Sequence, residues 1–210
     1  MRISLVFTLV LILAGLPMLS GCGGGEKSEP SALEKLQETA KNLETASKEL
    51  QQVGEEQGEP VPPVSFRTLI NYLPANVANL AKGEPSGETM NMGEWNFSQA
   101  SARYEQGEVN ASVEIFDYAH IGTLYAPFKM LVKMKLNKES TTGYERSTEI
   151  AGFPAYETWN NKDQRAELTV LVGDRFIVKI QTGKLPELTA RRTAEGMDLK
   201  KLAKETGPAA

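Results

Sequence analysis

Few side chains in this 210-residue chain are suited to reactive chemistry, and they are scattered along it. His120 is the only histidine and follows Asp117 by three residues, a pairing able to move a proton or to start a metal site. A metal site needs three or four ligands, however, and no cluster of cysteine, histidine or carboxylate joins the pair. His120 therefore reads as a partly exposed structural histidine at a strand–helix junction, and no metal ligand is assigned. Serines and aspartates are present, but no Gly-x-Ser-x-Gly elbow places a nucleophile. The glycine cluster Gly23-Gly24-Gly25 lies in polar chain, not between a strand and a helix where it would cradle phosphate. No catalytic residue and no cofactor is assigned. Arg146 and Glu157 could form a ligand-binding ion pair, but such pairs more often set strand register at the surface, where they contribute a few tenths of a kcal/mol. Trp95, Tyr118, Tyr144 and Trp159 form a candidate aromatic binding patch, against the alternative that opposed aromatics belong to a core.

The remaining reactive group is Cys22, the single cysteine. Before it stand a short positive start, Met1-Arg2, an apolar run from Ile3 to Leu16, and the helix breakers Gly15 and Pro17, the layout of a secretory signal. The apolar run is shorter than the roughly 20 residues a membrane-spanning helix needs. Leu19-Ser20-Gly21-Cys22 then resembles the lipobox of bacterial lipoproteins. That resemblance implies cleavage between Gly21 and Cys22, diacylglyceryl on the Cys22 sulfur and acylation of its amine. Each buried methylene contributes about 0.8 kcal/mol, so one acyl chain holds reversibly and two or three hold for very long times. Gly23, not Asp, follows the modified cysteine; by similarity to Gram-negative lipoproteins this points to the periplasmic face of the outer membrane.

Charge supports no competing partner. Lys and Arg number 23 against 27 Asp and Glu, and only Arg2 precedes Cys22, which leaves 22 against 27 and a net −5 after cleavage. So mildly acidic a chain carries no electrostatic footprint for nucleic acid. The implied partners are the lipid bilayer, through acylated Cys22, and an envelope protein.

The chain divides into a signal peptide (1–21), a Gly/Ser/Glu/Pro tether (22–32), an amphipathic helical spacer (33–53), a Pro/Gly/Glu linker (54–64) and a globular domain (65–204). Leu33, Leu36, Ala40, Leu43, Ser47 and Leu50 repeat at three- and four-residue steps, but Ala40 and Ser47 weaken the stripe, which suits a solvated spacer better than a coiled coil. Fully stretched, tether, spacer and linker would reach on the order of 100 Å.

Within the domain, Ser65 is placed to cap a helix running through Phe66, Leu69, Leu73 and Leu80, bent at Pro74. A hairpin over residues 94–105 and 108–118 turns at Gln106-Gly107, setting Ala102 opposite Ala111, Phe97 opposite Phe116 and Trp95 opposite Tyr118. A helix over 121–136 follows, kinked or restarted at Pro127. Strands over 143–150 and 153–160 pair across Ala151-Gly152, with Tyr144 opposite Trp159 and Arg146 opposite Glu157. Strands over 165–172 and 175–182 pair across Gly173-Asp174, with Leu171 opposite Phe176. A last helix over 186–204 buries Leu188, Met197, Leu199 and Leu202 and turns Glu187, Arg191 and Glu195 to water. The predicted class is α+β: an antiparallel sheet of about six strands in the order α-β-β-α-β-β-β-β-α with helices packed on it, preceded by the helical spacer.

Gly152-Phe153-Pro154-Ala155-Tyr156 and the run Leu168 to Phe176 resemble a group of uncharacterised bacterial lipoproteins, from which no activity carries over. More distantly, the element order is similar to the PsbP-type α/β/α sandwich, a likeness of topology that implies accessory binding proteins. The preferred expectation is a non-enzymatic, membrane-anchored binding domain. The alternatives are an envelope enzyme using carboxylates or His120, and a structural coiled-coil module over 33–53.

Overall fold

The computed structural model describes residues 61–92, 95–119, 122–133 and 135–207. Cys22, Gly21, the tether, the helical spacer and His120 lie outside the described residues. Among those described, no helix is long and apolar enough to cross a membrane.

The chain runs α1 (Phe66–Ile70), β1 (Asn76–Val77), β2 (Leu80–Ala81), β3 (Ser86–Met92), β4 (Trp95–Gln106), β5 (Val109–Asp117), α2 (Gly122–Lys133), β6 (Asn137–Ser140), β7 (Gly143–Ile150), β8 (Phe153–Asn160), β9 (Arg165–Val172), β10 (Phe176–Gly183), α3 (Thr189–Glu195) and α4 (Leu199–Leu202). Eight strands form one antiparallel sheet in the order β3-β4-β5-β10-β9-β8-β7-β6, and β1 and β2 form a small separate ladder. The predicted α+β class with about six strands is therefore corrected: the domain is mostly β, and its helices are few and short.

Two physical causes account for the correction. The strands of the large sheet that sequence periodicity misses, β3 (SGETMNM) and β6 (NKES), are its two outermost, and the small β1–β2 ladder stands where a helix through Leu80 is expected. An edge strand buries little and needs no apolar alternation, and β6 is exposed throughout. The two longer helices that periodicity predicted are cut short by local chemistry. Ser65 caps α1 as expected, its hydroxyl accepting from the Arg67 N–H, but the helix ends at Ile70, ahead of Pro74, and Ala78 sits at φ 52° where a helix cannot continue. At the other end Gly196 separates α3 from α4. The middle helix crosses Pro127 without restarting.

Strand alternation distributes the apolar residues over both faces of the sheet. One face carries Tyr104, Ile115, Leu168, Val170, Phe176 and Ile180, all essentially inaccessible, beneath α1, α3 and α4. Burying side chains of this size contributes roughly 1.5–3 kcal/mol each, so this face holds most of the stabilising area. The other face has a smaller core, Leu171 and Ile177, against which Phe116, Tyr118, Phe128 and Val132 pack beneath α2. Gly87 lets α1 lie down on β3: a Cβ there would stand 2.9 Å from the Phe66 ring.

Registers sharpen the picture. In the β7–β8 hairpin Tyr144 pairs with Trp159 and Arg146 with Glu157, across Ala151 and Gly152, which both adopt positive φ as a tight primed turn requires. The β4–β5 hairpin is offset by two residues from its expected register. Gly107, at φ 62°, takes the first loop position, so Ala102 faces Val113 and Gln99 faces Phe116, while Phe97 faces Met90 of β3. The offset is even, so every side chain keeps its face. The β9–β10 hairpin is offset by one: Gly173, Asp174 and Arg175 all lie in the loop, and Phe176 faces Val172.

Candidate functional site

The four aromatics of the expected patch do not converge. Tyr144 and Trp159 are neighbours on the face covered by α3 and α4, where Trp159 packs against the main core. Tyr118 is on the opposite face, stacked on Phe116 with ring centroids 5.9 Å apart and 6.5 Å from Phe128 of α2. The sheet order puts four strand spacings, about 19 Å, between Tyr118 and Tyr144. Trp95 lies in β4 opposite Met92, beyond the last β4–β5 pair. No group of three or more His, Cys, Asp or Glu among the described residues could hold a metal.

Two buried carboxylates organise the face beneath α1, α3 and α4. Asp117, at the end of β5, is fully inaccessible. Its Oδ1 accepts from Arg175 Nε at 2.7 Å and from the Ala119 N–H at 2.9 Å; its Oδ2 accepts from Arg175 Nη2 at 2.7 Å and from the Val64 N–H at 2.6 Å. Arg175 also donates to the Pro62 carbonyl at 2.8 Å. The carboxylate thus ties together β5, the β9–β10 loop and the segment through which the chain enters the domain. A fork of donors on a planar guanidinium fits this task; a lysine would supply a single point of charge.

Glu157, in the middle of β8, is equally inaccessible but differently served. Its Oε2 alone accepts from Arg146 Nε at 3.0 Å, Arg146 Nη2 at 2.9 Å and Arg191 Nη2 at 2.7 Å, whereas its Oε1 has no hydrogen-bond partner. Arg191 comes from α3 and donates also to Thr148 Oγ1 at 3.0 Å. The Arg146 guanidinium lies 4.2 Å over the Tyr144 ring. Burial works against the charge on Arg146, but its hydrogen bond and attraction to Glu157 outweigh that and hold it more firmly protonated. Burial pushes the Tyr144 phenol up to about 12, helped by the Glu157 carboxylate; Glu187 adds to the shift, although the hydroxyl makes no well-formed hydrogen bond.

The expectation that Arg146 and Glu157 form a solvent-exposed register pair is thereby corrected, because Glu157 is wholly enclosed and shared with a second arginine. Arg191, expected on the wet face of the last helix, is the group that closes it. The signal for that inner face was present in the small residues Ala190 and Ala194, both fully buried, which let α3 approach the sheet; Leu188, expected inside, is 38% exposed. The Asp117–Arg175 contact joins residues 58 apart and carries no local sequence signal.

The face beneath α2 differs in kind. Much of it is polar, with Glu167 accepting from Gln181 at 3.1 Å and paired with Lys179 at 3.0 Å, and with the Tyr156 hydroxyl donating to Glu145 at 3.1 Å. Toward the β3 edge it becomes apolar. Met90 faces Phe97, and strand alternation puts Phe97 on the same side of the sheet as Gln99, whose β5 partner is Phe116. Met90, Phe97, Phe116, Tyr118 and Phe128 are each half-buried, so a partly accessible row runs from the edge strand to the small core under α2.

Comparison with family models, with curated proteins and with solved structures found no match for this chain.

Proposed function

We propose that this protein is an envelope lipoprotein that presents its sheet domain as a non-enzymatic binding module, held near a bilayer by lipid on Cys22 and given reach by the tether, spacer and linker of residues 22–64. The anchoring half rests on Leu19-Ser20-Gly21-Cys22 closing an apolar signal. The binding half rests on one observation, the half-buried row from Met90 to Tyr118 that leads to the open edge of the sheet. Apolar groups left partly accessible in a contiguous strip mark surfaces that other molecules cover. The buried polar groups serve as supports in this reading: Asp117 and Glu157 have no accessible surface and bridge elements of the domain.

Two measurements test the two halves separately. Intact mass spectrometry of the protein from its own host is expected to show a chain beginning at Cys22 and carrying acyl groups; an unmodified thiol there removes the anchor. Crosslinking in intact envelopes, read by mass spectrometry, is expected to join residues of the β3–β5 half to a second protein. Crosslinks confined to the chain itself would count against a binding role.

A further inference from the structure

We infer that β3 is a docking edge that accepts an extended segment of another protein as a ninth, antiparallel strand, with an apolar side chain of that segment beside Met90 and a basic one beside Glu88. The inference deepens the binding role proposed above and rests on it.

The two edges of the sheet are built differently. β6 has four residues, Asn137–Ser140, and includes Lys138, which pairs with Glu145 across the ladder at 3.7 Å. A short edge carrying a lysine is a common way to block unwanted pairing. β3 has seven residues, Ser86–Met92, all paired with β4, and contains neither lysine nor proline. Among the described residues no strand pairs with the outer side of β3, where alternate residues turn their backbone N–H and C=O outward. At about 3.3 Å per residue, β3 offers some 23 Å of template.

Its side chains specify what would pair. Glu88 faces Gln99 and Met90 faces Phe97, which places both on the α2 side, at the end of the half-buried apolar row. An apolar side chain added beside Met90 continues that row outward. Glu88 is exposed, is the only charged residue of β3, and has no ion pair among the described residues. A basic side chain beside it supplies one. Because the added strand runs antiparallel, like every neighbour in this sheet, its sequence reads apolar-x-basic from N- to C-terminus.

Charge argues against a second copy of this chain as the occupant. In the symmetric antiparallel register that pairs all seven residues, Thr89 faces Thr89 and each Glu88 faces a Met90, which brings the two carboxylates into diagonal contact on one face. Like charges so placed oppose pairing, whereas a basic residue favours it.

The test uses the full-length lipidated chain in detergent and a synthetic strand, acetyl-Thr-Thr-Leu-Thr-Lys-Thr-Thr-amide, at millimolar concentration, with a second strand carrying glutamate in place of the lysine. Hydrogen–deuterium exchange read by mass spectrometry is expected to slow across residues 86–92 with the lysine strand, and binding is expected to weaken about fivefold with the glutamate strand, from the sum of a lost attraction and a new repulsion. In Glu88→Lys, an exposed change that leaves the fold intact, the preference should reverse. Unchanged exchange over 86–92 with either strand, or the same preference in both proteins, overturns the docking edge. Slowed exchange of β3 that depends on protein concentration without any peptide overturns it in favour of self-pairing. In either case envelope crosslinks that place a partner elsewhere on the sheet leave the broader binding role standing.

Discussion

Asp117 and Glu157 are both carboxylates with no accessible surface, both held by arginine, and both on the face of the sheet covered by α1, α3 and α4, yet they are served in opposite ways. Around Asp117 every strong acceptor site is filled, two of the four donors are main-chain N–H groups, and the paired Arg175 side chain is only 8% exposed. Around Glu157 all three donors are arginine N–H groups crowded on one oxygen, from side chains 36% and 21% exposed, while the other oxygen has none. The contrast teaches that inaccessibility alone does not measure what a buried charge contributes. What matters is whether its partners can reach water once it is gone. Val64, Ala119 and Arg175 cannot, whereas Arg146 and Arg191 can swing outward.

The largest predicted effect follows from that difference. Asp117→Leu strands two main-chain donors and an enclosed guanidinium, and should destabilise the domain by about 3–5 kcal/mol. It should also release Pro62 and Val64 from the sheet. Urea unfolding gives the first number, and exchange of the Val64 amide reads the second. Glu157→Met is expected to cost only about 1–2 kcal/mol, below the usual cost of removing one partner of a buried pair, because the two arginines are partly exposed and re-solvate while an apolar side chain fills the site. Equal losses in the two variants would abolish the distinction drawn between the networks.

How much of this was legible in the sequence follows the range of the interactions. The β7–β8 hairpin was readable down to its pairs because its register is set by two adjacent residues, Ala151 and Gly152, and by matched partners such as Tyr144 and Trp159. The β4–β5 hairpin was placed on the right faces but two residues off, since a single glycine can occupy either position of a two-residue loop and only the fold chooses. The β9–β10 hairpin slipped by one because Arg175, which completes the Asp117 network, lies in the loop and does not open β10. The two edge strands were invisible, having no core to write a pattern into them. Of the candidate site, Tyr144 and Trp159 were legible as a pair but the four aromatics do not meet at one place, while the row from Met90 to Tyr118 needs β3, an edge strand with no apolar alternation of its own, beside the β4–β5 hairpin.

The tyrosine beside Glu157 reports on that carboxylate directly. Burial, aided by that carboxylate, pushes the Tyr144 phenol up to about 12 from its ordinary value of about 10. A raised value means the folded state keeps the proton longer than the unfolded chain. The contribution to stability is therefore fully present below about pH 10 and fades as pH rises toward 12. Removing Glu157 removes one of the groups that oppose ionisation, so in Glu157→Met the phenol should titrate earlier and the alkaline loss of stability attributable to it should shrink. Tyrosine-selective carbon NMR follows the titration. A Tyr144 curve unmoved by the substitution would show that the carboxylate does not act on it.

The smallest effect comes from an ion pair that shares neither network. Lys179 and Glu167 meet at 3.0 Å on the polar part of the α2 face, with side chains 32% and 40% exposed. Exposed pairs lose most of their attraction to water and to the entropy of holding two long side chains still, so Glu167→Gln should cost about 0.2–1 kcal/mol, less in high salt. Gln181, which donates to the same carboxylate, can keep its hydrogen bond to the amide oxygen and soften the change further. Measured in the same urea series, this variant sets the baseline above which a buried carboxylate must stand. If it cost as much as Glu157→Met, the Glu157 network would count as no more than a surface pair with a lid, and the contrast with Asp117 would reduce to one buried ion pair against two exposed ones.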